Sequence, residues 1–541
     1  MCTWLRALTS LREQLLLQRV PIAGAPPLAY GGAQADGFQD TFVADLAVYM
    51  EHGMFEMASG VFDNYFTHYV RVGARLNYRG PELAQFGRML TLTAQYYRYT
   101  ADAALLLKHA SKLVDISDLL LHRRRASQAL PRTDPSHGIM RGIDEADEMS
   151  AWTASSSELP HLSFSLEAWR GFTEIAPVWR EIGASHARPD LSAVATTLHN
   201  ETATLLADAR TAMSRSAVPA GGSLVCHPYV AGESACGDMN TEGKPPYARV
   251  SHTTAPYNFR ASEPWRSYSG MFYSGAIDRV VATEIVQHHQ LRSRLSRIGV
   301  WSGGPGFESG LMGFTEQGHG YGLLQHELIE HFLLLLFSHA AHVCSRGTWT
   351  CFESRRLPNW PPAGGYATPS QAVIPLLLKW LLVWEPPPAP ATDEATDEAT
   401  DEATDEAEGR RAAMVTPGSS APPARLTLCR GTPRAWLRDG RRIVVVNAPT
   451  SSGLKLNVSV VSVLGGSVPH VSAYVSALAM HAASASDWEM TLRLRVPYGY
   501  QMVAVEVDGK AWAKHDAEEV KLPRMSASTP RCAIRAVYRR G

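Results

Sequence analysis

Leu328–Pro358 reads LIEHFLLLLFSHAAHVCSRGTWTCFESRRLP. Its first half, Leu328–Val343, is an apolar run broken only by a few polar groups, and it predicts a buried helix. Its second half, Arg346–Pro358, crowds arginines, hydroxyls and aromatics around a single carboxylate, Glu353. Arg346, Trp349, Phe352, Arg355 and Arg356 flank that Glu in a short polar turn. Loops carried on a rigid helical scaffold are where chemistry usually sits. Glu353 therefore reads either as the floor of a pocket or as an ion-paired structural group, because ion-pair networks gather the same residue types.

Working outward, the first 385 residues read as helix after helix. Phe38–Gly60, Glu82–Tyr99, Ala103–Leu121, Phe164–Ile175, Leu191–Ala212, Gly270–Ser296, Gly322–Val343 and Ala372–Trp384 carry apolar residues at helical spacing. Gly, Pro, Asn and Asp separate them. The stretch Val218–Trp265 is a long loop of the kind that is usually functional. Pro386, Pro387, Pro388 and Pro390 end the helical pattern, and TDEA repeats four times over Thr392–Ala407, a solvated spacer. After Arg425 the period changes. RLTLCRG, RIVVVNA, LKLNVSVVSV, EMTLRLRVP and MVAVEVDG are short, β-branched and alternating, which predicts an antiparallel β-sandwich. The expected division is a helical domain over 1–385, a linker over 386–424 and a sandwich over 425–541.

Composition narrows the partners. The 541 residues are 45% hydrophobic with net charge −1 and mean hydropathy −0.14, ordinary for a globular chain. Nine of the acids fall in Thr392–Glu408, which holds no base, so the remainder carries only +8. That is too dilute to imply nucleic acid or an anionic membrane as a partner. No run reaches the roughly 20 clean apolar residues of a membrane span. The N-terminus lacks the continuous apolar core of a secretory signal, so a cytoplasmic location is the default expectation. Seven cysteines, with no CxxC, predict a mostly reduced chain without structural zinc, although Cys226 and Cys236 are close enough to bridge a loop.

Three further clusters carry polar chemistry. Gly142–Glu148 holds Asp144, Glu145, Asp147 and Glu148 close to His137 and Trp152. It is either a second carboxylate site or a solvated acidic turn at a helix start. Asp36 and Asp40 stand at the beginning of a helix, as caps or as groups for sugar hydroxyls, with Tyr78 and Arg79 before the next helix. Gly313–Gly322 brings glycine-rich backbone together with Glu316 and His319, read as exposed candidates. His326-Glu327-Leu-Ile-Glu330-His331 has the wrong spacing for a HExxH or HxxEH zinc motif, so no metal or cofactor is expected.

Hairpins of helices followed by a sandwich, with acidic loops at the middle and end of the helical part, resemble the six-hairpin glycosidases. The stretches that carry the resemblance are DGFQDTF, NYRGPELAQFGRMLT, GIDEAD, EAWRGF, GFTEQGHGYGLLQ and RGTWTCFESRRLP, with PRAWLRDG, NAPT and VEVDGKAW in the C-terminal part. The resemblance implies an (α/α)6 toroid over most of 20–385, a substrate cleft at its loop-lined mouth, and a C-terminal antiparallel β-sandwich over 425–541. It implies an O-glycosyl hydrolase acting on an oligo- or polysaccharide, with Asp144 as acid and Glu353 as base in an inverting displacement. Glu145 and Asp147 are the alternatives to Asp144. Asp36, Asp40, Tyr78, Arg79, Trp152, Glu316, His319, Arg346 and Trp349 are the expected sugar-binding residues. Two other classes fit the same pattern. One is a polysaccharide lyase using Tyr78, His319 and Tyr321, and the other is a carbohydrate-binding protein without turnover.

Overall fold

The computed structural model describes residues 39–76, 83–142, 158–219, 222–232, 263–292, 310–313, 316–345, 348–356, 362–388, 424–481, 487–526 and 528–541. The chain divides into two compact units. The first comprises Met1–Trp384 with Cys429–Pro433 and Ala448–Ser451, and the second comprises Glu385–Leu428, Arg434–Asn447 and Ser452–Gly541. The TDEA spacer lies outside the described residues.

Helices of the first unit run in chain order as α1 (Gln39–Glu51), α2 (Phe55–His68), α3 (Leu83–Thr100), α4 (Ala103–Lys108), α5 (Ala110–Gln128) and α6 (Leu162–Ser185). They continue as α7 (Pro189–Ser216), α8 (Glu263–Ser274), α9 (Arg279–Arg292), α10 (Glu316–Gln325), α11 (Ile329–Ser338) and α12 (Thr368–Leu382). Six of them close a ring. α1 packs on α3, α3 on α6, α6 on α8, α8 on α10, α10 on α12, and α12 returns to α1. The helices between them in sequence lie outside that ring: α2 against α1, α5 against α3 and α6, α7 against α6, and α11 against α10.

Burial follows this two-layer plan. Every residue from Gln39 to Met50 in α1 and from Thr368 to Leu381 in α12 is buried. A helix buried all round belongs to the interior. Outer helices bury one stripe instead. α7 buries Leu191, Ala195, Leu198, Leu205, Leu206 and Ala209, at helical spacing, and leaves its other face in water. Its Pro189 at the first turn costs nothing, since that N–H has no intrahelical partner.

Glycines set how closely the ring helices approach. A Cβ on Gly87 in α3 would lie 2.4 Å from the Glu167 carbonyl carbon, and one on Gly171 in α6 would lie 2.6 Å from Gly87 O. The helix α10 uses the same device. Gly318 sits on Ser269, Gly322 on Phe272 and Gly320 on Leu377. This explains a departure from the sequence expectation: Glu316 and His319 are not exposed, because EQGHGYG is a buried part of α10 itself. The helical pattern then breaks at Glu327, whose φ is +60°.

Leu328–Val343 is helical but not wholly buried. It divides into α11 and a π-helical turn, His339–Val343. α11 is an outer helix, burying Ile329, Phe332, Leu335 and Leu336 while Leu334 and Phe337 face outward. Downstream, the stretch read as a polar turn contains strand Phe352–Arg356, the centre of an antiparallel sheet with Gly310–Met312 and Pro362–Tyr366.

The second unit is the β region. Strands Arg442–Pro449, Leu454–Val463, His470–Ala479, Arg531–Arg540, Tyr500–Val507 and Lys510–Ala511 lie in that order across one sheet. Its three strands Leu454–Val463, His470–Ala479 and Arg531–Arg540 pair antiparallel, with Val458 opposite Val475 and Val475 opposite Cys532. Leu456, Val458 and Val460 are buried while Lys455 is exposed, the alternation of a sheet with one dry face. In the second sheet Asp487–Arg493 pairs antiparallel with Glu519–Lys521 but parallel with Ala424–Leu428. No described helix is long and apolar enough to cross a membrane.

Candidate functional site

The N-terminal turns of five ring helices bring charged and amide side chains into one buried interior. α1 contributes Asp40, α3 contributes Gln85 and Arg88, α6 contributes Glu167, α8 contributes Arg266, and α10 contributes Glu316 and His319. All seven are buried. Charged groups are almost never fully buried unless paired, and Asp40, Gln85, Arg88, Glu167 and Arg266 are paired across helices. Asp40 Oδ1 accepts from Gln85 Nε2 at 2.5 Å, and its two oxygens accept from the Arg266 guanidinium at 3.2 and 2.9 Å. Glu167 Oε1 accepts from Arg88 Nε at 3.0 Å and from Arg88 Nη2. Neither Arg88 contact uses Oε2. Gly270 in α8 leaves room for this carboxylate, since a Cβ there would lie 3.1 Å from Oε1. Glu316 Oε2 lies 3.8 Å from His319 Nδ1, one turn further along α10.

A layer of aromatic and guanidinium groups continues this interior along the ring helices. Arg88 and Arg170 both lie over the Tyr273 ring, at 4.4 Å from its centroid. Arg170 Nε donates to Glu174 at 2.8 Å and its Nη2 donates to the Tyr321 hydroxyl at 3.1 Å. Tyr321 in turn packs on Trp380 and Trp384.

Burial dominates the electrostatics of Glu167. It pushes the carboxyl above its usual range, while Arg88, Arg170 and Arg266 act against that shift. A carboxyl held up by its surroundings among guanidinium groups is a candidate for acid–base work. Burial also raises the Tyr321 hydroxyl, against the pull of Arg170.

The sequence candidates divide accordingly. Asp40, Glu316 and His319 stand in the interior of the ring. Asp40 is the second residue of α1 and takes Gln85 and Arg266 rather than acting as a cap. Glu316 and His319 are 0% exposed, which corrects the expectation that they face solvent. Glu353 is half-buried on the strand after Cys351. The pairing register shifts between Phe352 and Ser354, so Glu353 occupies a bulge, a device that re-aims a side chain. Its carbonyl accepts from Gly313 N at 2.9 Å. Trp349 is half-buried with φ +58°, and its carbonyl accepts from Gln371 Nε2 of α12. Asp36, Tyr78, Arg79, Asp144, Glu145, Asp147, Trp152 and Arg346 lie outside the described residues.

Sequence reasoning passed over Gln85, Arg88, Glu167 and Arg266. The signal was present in two of the quoted stretches. ELAQFGRMLT and EAWRGF each set charges inside an apolar helical pattern, and charges on a face that must be buried need partners.

The cysteines also depart from expectation. Cys344 and Cys351 form a disulfide, and Cys226 is disulfide-bonded. Cys429 and Cys532 are free and buried. Among the described residues, His339, Cys344 and Cys351 form a group with metal-ligand chemistry.

No protein-family model matches the chain, and no curated protein matches it. Solved structures do match. One is a glycosidase, 12% identical, covering 70% of this chain and 97% of its own, with TM-score 0.43. Another is a GH127 β-arabinofuranosidase, 10% identical, covering 99% of this chain and 78% of its own, with TM-score 0.40. A third is a D-mannose isomerase, 9% identical, covering 69% of this chain and 97% of its own, with TM-score 0.40. Likeness at this level carries neither activity nor substrate across to this chain.

Proposed function

We propose that this chain is a glycoside hydrolase that cleaves O-glycosidic bonds of an oligo- or polysaccharide inside the helix ring. The observation that carries the reading is Glu167. It is a fully buried carboxyl, raised above its usual range, and it shares the charge of Arg266 with Asp40. Glycoside cleavage needs one protonated carboxyl to donate to the leaving oxygen and one ionised carboxylate to activate water or attack carbon. Burial supplies the first condition at Glu167.

In the proposed reaction Glu353 takes the proton of the attacking water, and an acid on the opposite face protonates the leaving oxygen. Asp144 is the acid proposed from the sequence, and Glu167 is a second candidate, proposed from its burial and raised carboxyl. Inversion requires the acid and base carboxyls to stand about 6.5–9.5 Å apart. Arg88, Arg266, Gln85 and His319 offer donors to sugar hydroxyls.

Of the two tyrosines of the lyase alternative, Tyr78 lies outside the described residues and Tyr321 does not suit the role. A base for β-elimination must lose its proton easily, whereas burial raises the Tyr321 hydroxyl and Arg170 donates to it.

The test is a panel of aryl glycosides and plant or algal polysaccharides, run with wild type and with Asp144→Asn, Glu167→Gln and Glu353→Gln. Turnover with an inverted anomeric product, lost in Glu353→Gln and in one of the two acid variants, supports the assignment. An unsaturated product absorbing in the ultraviolet favours the lyase. Glycan binding without turnover, unchanged in Glu353→Gln, favours a binding protein.

A further inference from the structure

His339, Cys344 and Cys351 meet where the outer helix α11 hands over to the three-stranded sheet. His339 opens the π-helical turn and Cys344 follows it. Cys351 precedes strand Phe352–Arg356 and pairs with Cys344 as an isolated antiparallel bridge. A ring nitrogen of His339 and the two sulfurs lie within 4.8 Å of one another. All three residues are buried, at 0%, 1% and 1% exposure.

The imidazole is already oriented. His339 Nε2 donates to Ser370 O at 3.0 Å, which places the proton on Nε2 and the lone pair on Nδ1. Nδ1 is buried and has no hydrogen-bond partner among the described residues. Leaving such an acceptor unmet costs its full desolvation penalty. A histidine anchored through one nitrogen to a backbone carbonyl, with the other left open, is how metal-bound imidazoles are held.

We propose that reducing the Cys344–Cys351 disulfide opens a soft-metal site, in which both thiolates and His339 Nδ1 bind a zinc-type divalent cation. A dithiol reductant supplies two electrons to the disulfide. It leaves as its own cyclic disulfide, and the protein gains two thiols. The incoming cation then displaces the two thiol protons to solvent. A donor set of two thiolate sulfurs and one imidazole nitrogen selects Zn2+ or Co2+ over Mg2+ or Ca2+. Disulfide and metal are thus alternative cross-links of one loop, Cys344–Cys351, which carries Trp349 and leads into Glu353. The spacing His-x4-Cys-x6-Cys is not a CxxC knuckle, because the two cysteines come together by strand pairing across the loop.

The test uses the full chain, reduced with a dithiol, desalted without oxygen and titrated with Co2+. The expected result is one Co2+ per chain with an intense thiolate-to-cobalt absorption band, and none for the oxidised chain, a comparison that needs no variant. Cys344→Ser and Cys351→Ser abolish the band, and His339→Gln weakens binding by at least about tenfold. Cys226→Ser and the double variant Cys429→Ser/Cys532→Ser keep it. A reduced chain with no thiolate band overturns the proposal, as does a band that survives in Cys344→Ser and Cys351→Ser.

Discussion

Glu51, the last residue of α1, accepts a hydrogen bond from Lys379 Nζ of α12 at 2.7 Å across 328 residues of sequence. The same carboxylate takes Trp380 Nε1 at 2.8 Å and the Tyr99 hydroxyl at 3.0 Å. The pair therefore locks the seam where the last helix of the ring returns to the first. Lys379 is 7% exposed, so removing its partner strands a buried charge. Glu51→Ala is expected to cost about 3 kcal/mol, and Glu51→Gln paired with Lys379→Met less than the two changes summed. Chemical denaturation followed by circular dichroism of the helical transition checks both. Burial works to raise the Glu51 carboxyl, but Lys379, Trp380 and Tyr99 together hold it below its ordinary value of 4.5. Its stabilisation is thus present above pH 4.5 and is lost as pH falls through the depressed value. Wild type is expected to lose stability on acidification below that point more steeply than Glu51→Gln.

Glu167→Gln separates chemistry from folding. The Glu167 carboxyl is raised in the fold, so its ionisation works against folding once pH passes the ordinary value of 4.5. The amide variant has no such penalty, and its Tm at about pH 7 is expected to equal or exceed that of wild type. An acid in the reaction contributes roughly 10²–10⁴-fold, so kcat is expected to fall at least about 100-fold. A Tm that drops by many degrees along with activity would make Glu167 a structural partner of Arg88 instead.

The helical and β regions were legible because their periods differ. LKLNVSVVSV alternates, and burial over Leu454–Val463 alternates with it. The ring itself was harder to read. An inner helix is buried all round, so α1 and α12 show no polar stripe, and only the contacts of α12 with α1 reveal closure. At α10 the glycines were legible as close backbone approaches, but the burial of Glu316 and His319 was not. Gly318, Gly320 and Gly322 are the positions where α10 meets Ser269, Leu377 and Phe272. Asp40, Glu316 and His319 were found as polar groups at element starts, whereas Glu167 and Arg88 were hidden inside helical runs. These two partners lie 79 residues apart, and pairing at that separation has no local signature.

Gly87→Ala tests a close backbone approach between two ring helices. The added Cβ would meet backbone, 2.4 Å from the Glu167 carbonyl carbon, and backbone cannot rotate away as a side chain can. α3 and α6 must separate, which moves Arg88 from Glu167. Overpacking typically costs about 1–3 kcal/mol, and a loss of about 3 kcal/mol with a large fall in turnover is expected here. Gly466→Ala is the control. Its Cβ meets nothing within 4 Å, so its effect is expected to stay within about 0.5 kcal/mol. Equal stability of the two variants in urea would show that α3 and α6 are not held as tightly as described.

His326 gives the protein an acid-sensitive point of its own. It is 8% exposed, and its Nε2 is buried without a hydrogen-bond partner among the described residues. Burial lowers its pKa to about 4. Asp278 opposes the shift, and Arg430 and Arg279 add to it. The fold therefore holds the neutral ring. Its contribution is complete above the ordinary value of 6.5 and is lost as pH falls from there toward 4. At about pH 5 the unfolded chain binds a proton that the fold refuses, a difference of about 2 kcal/mol. His326→Gln does not titrate in this range, so its stability is expected to change less between about pH 7 and pH 5 by that amount. Urea midpoints at the two pH values check this, and parallel losses in wild type and variant would assign the acid sensitivity to other groups.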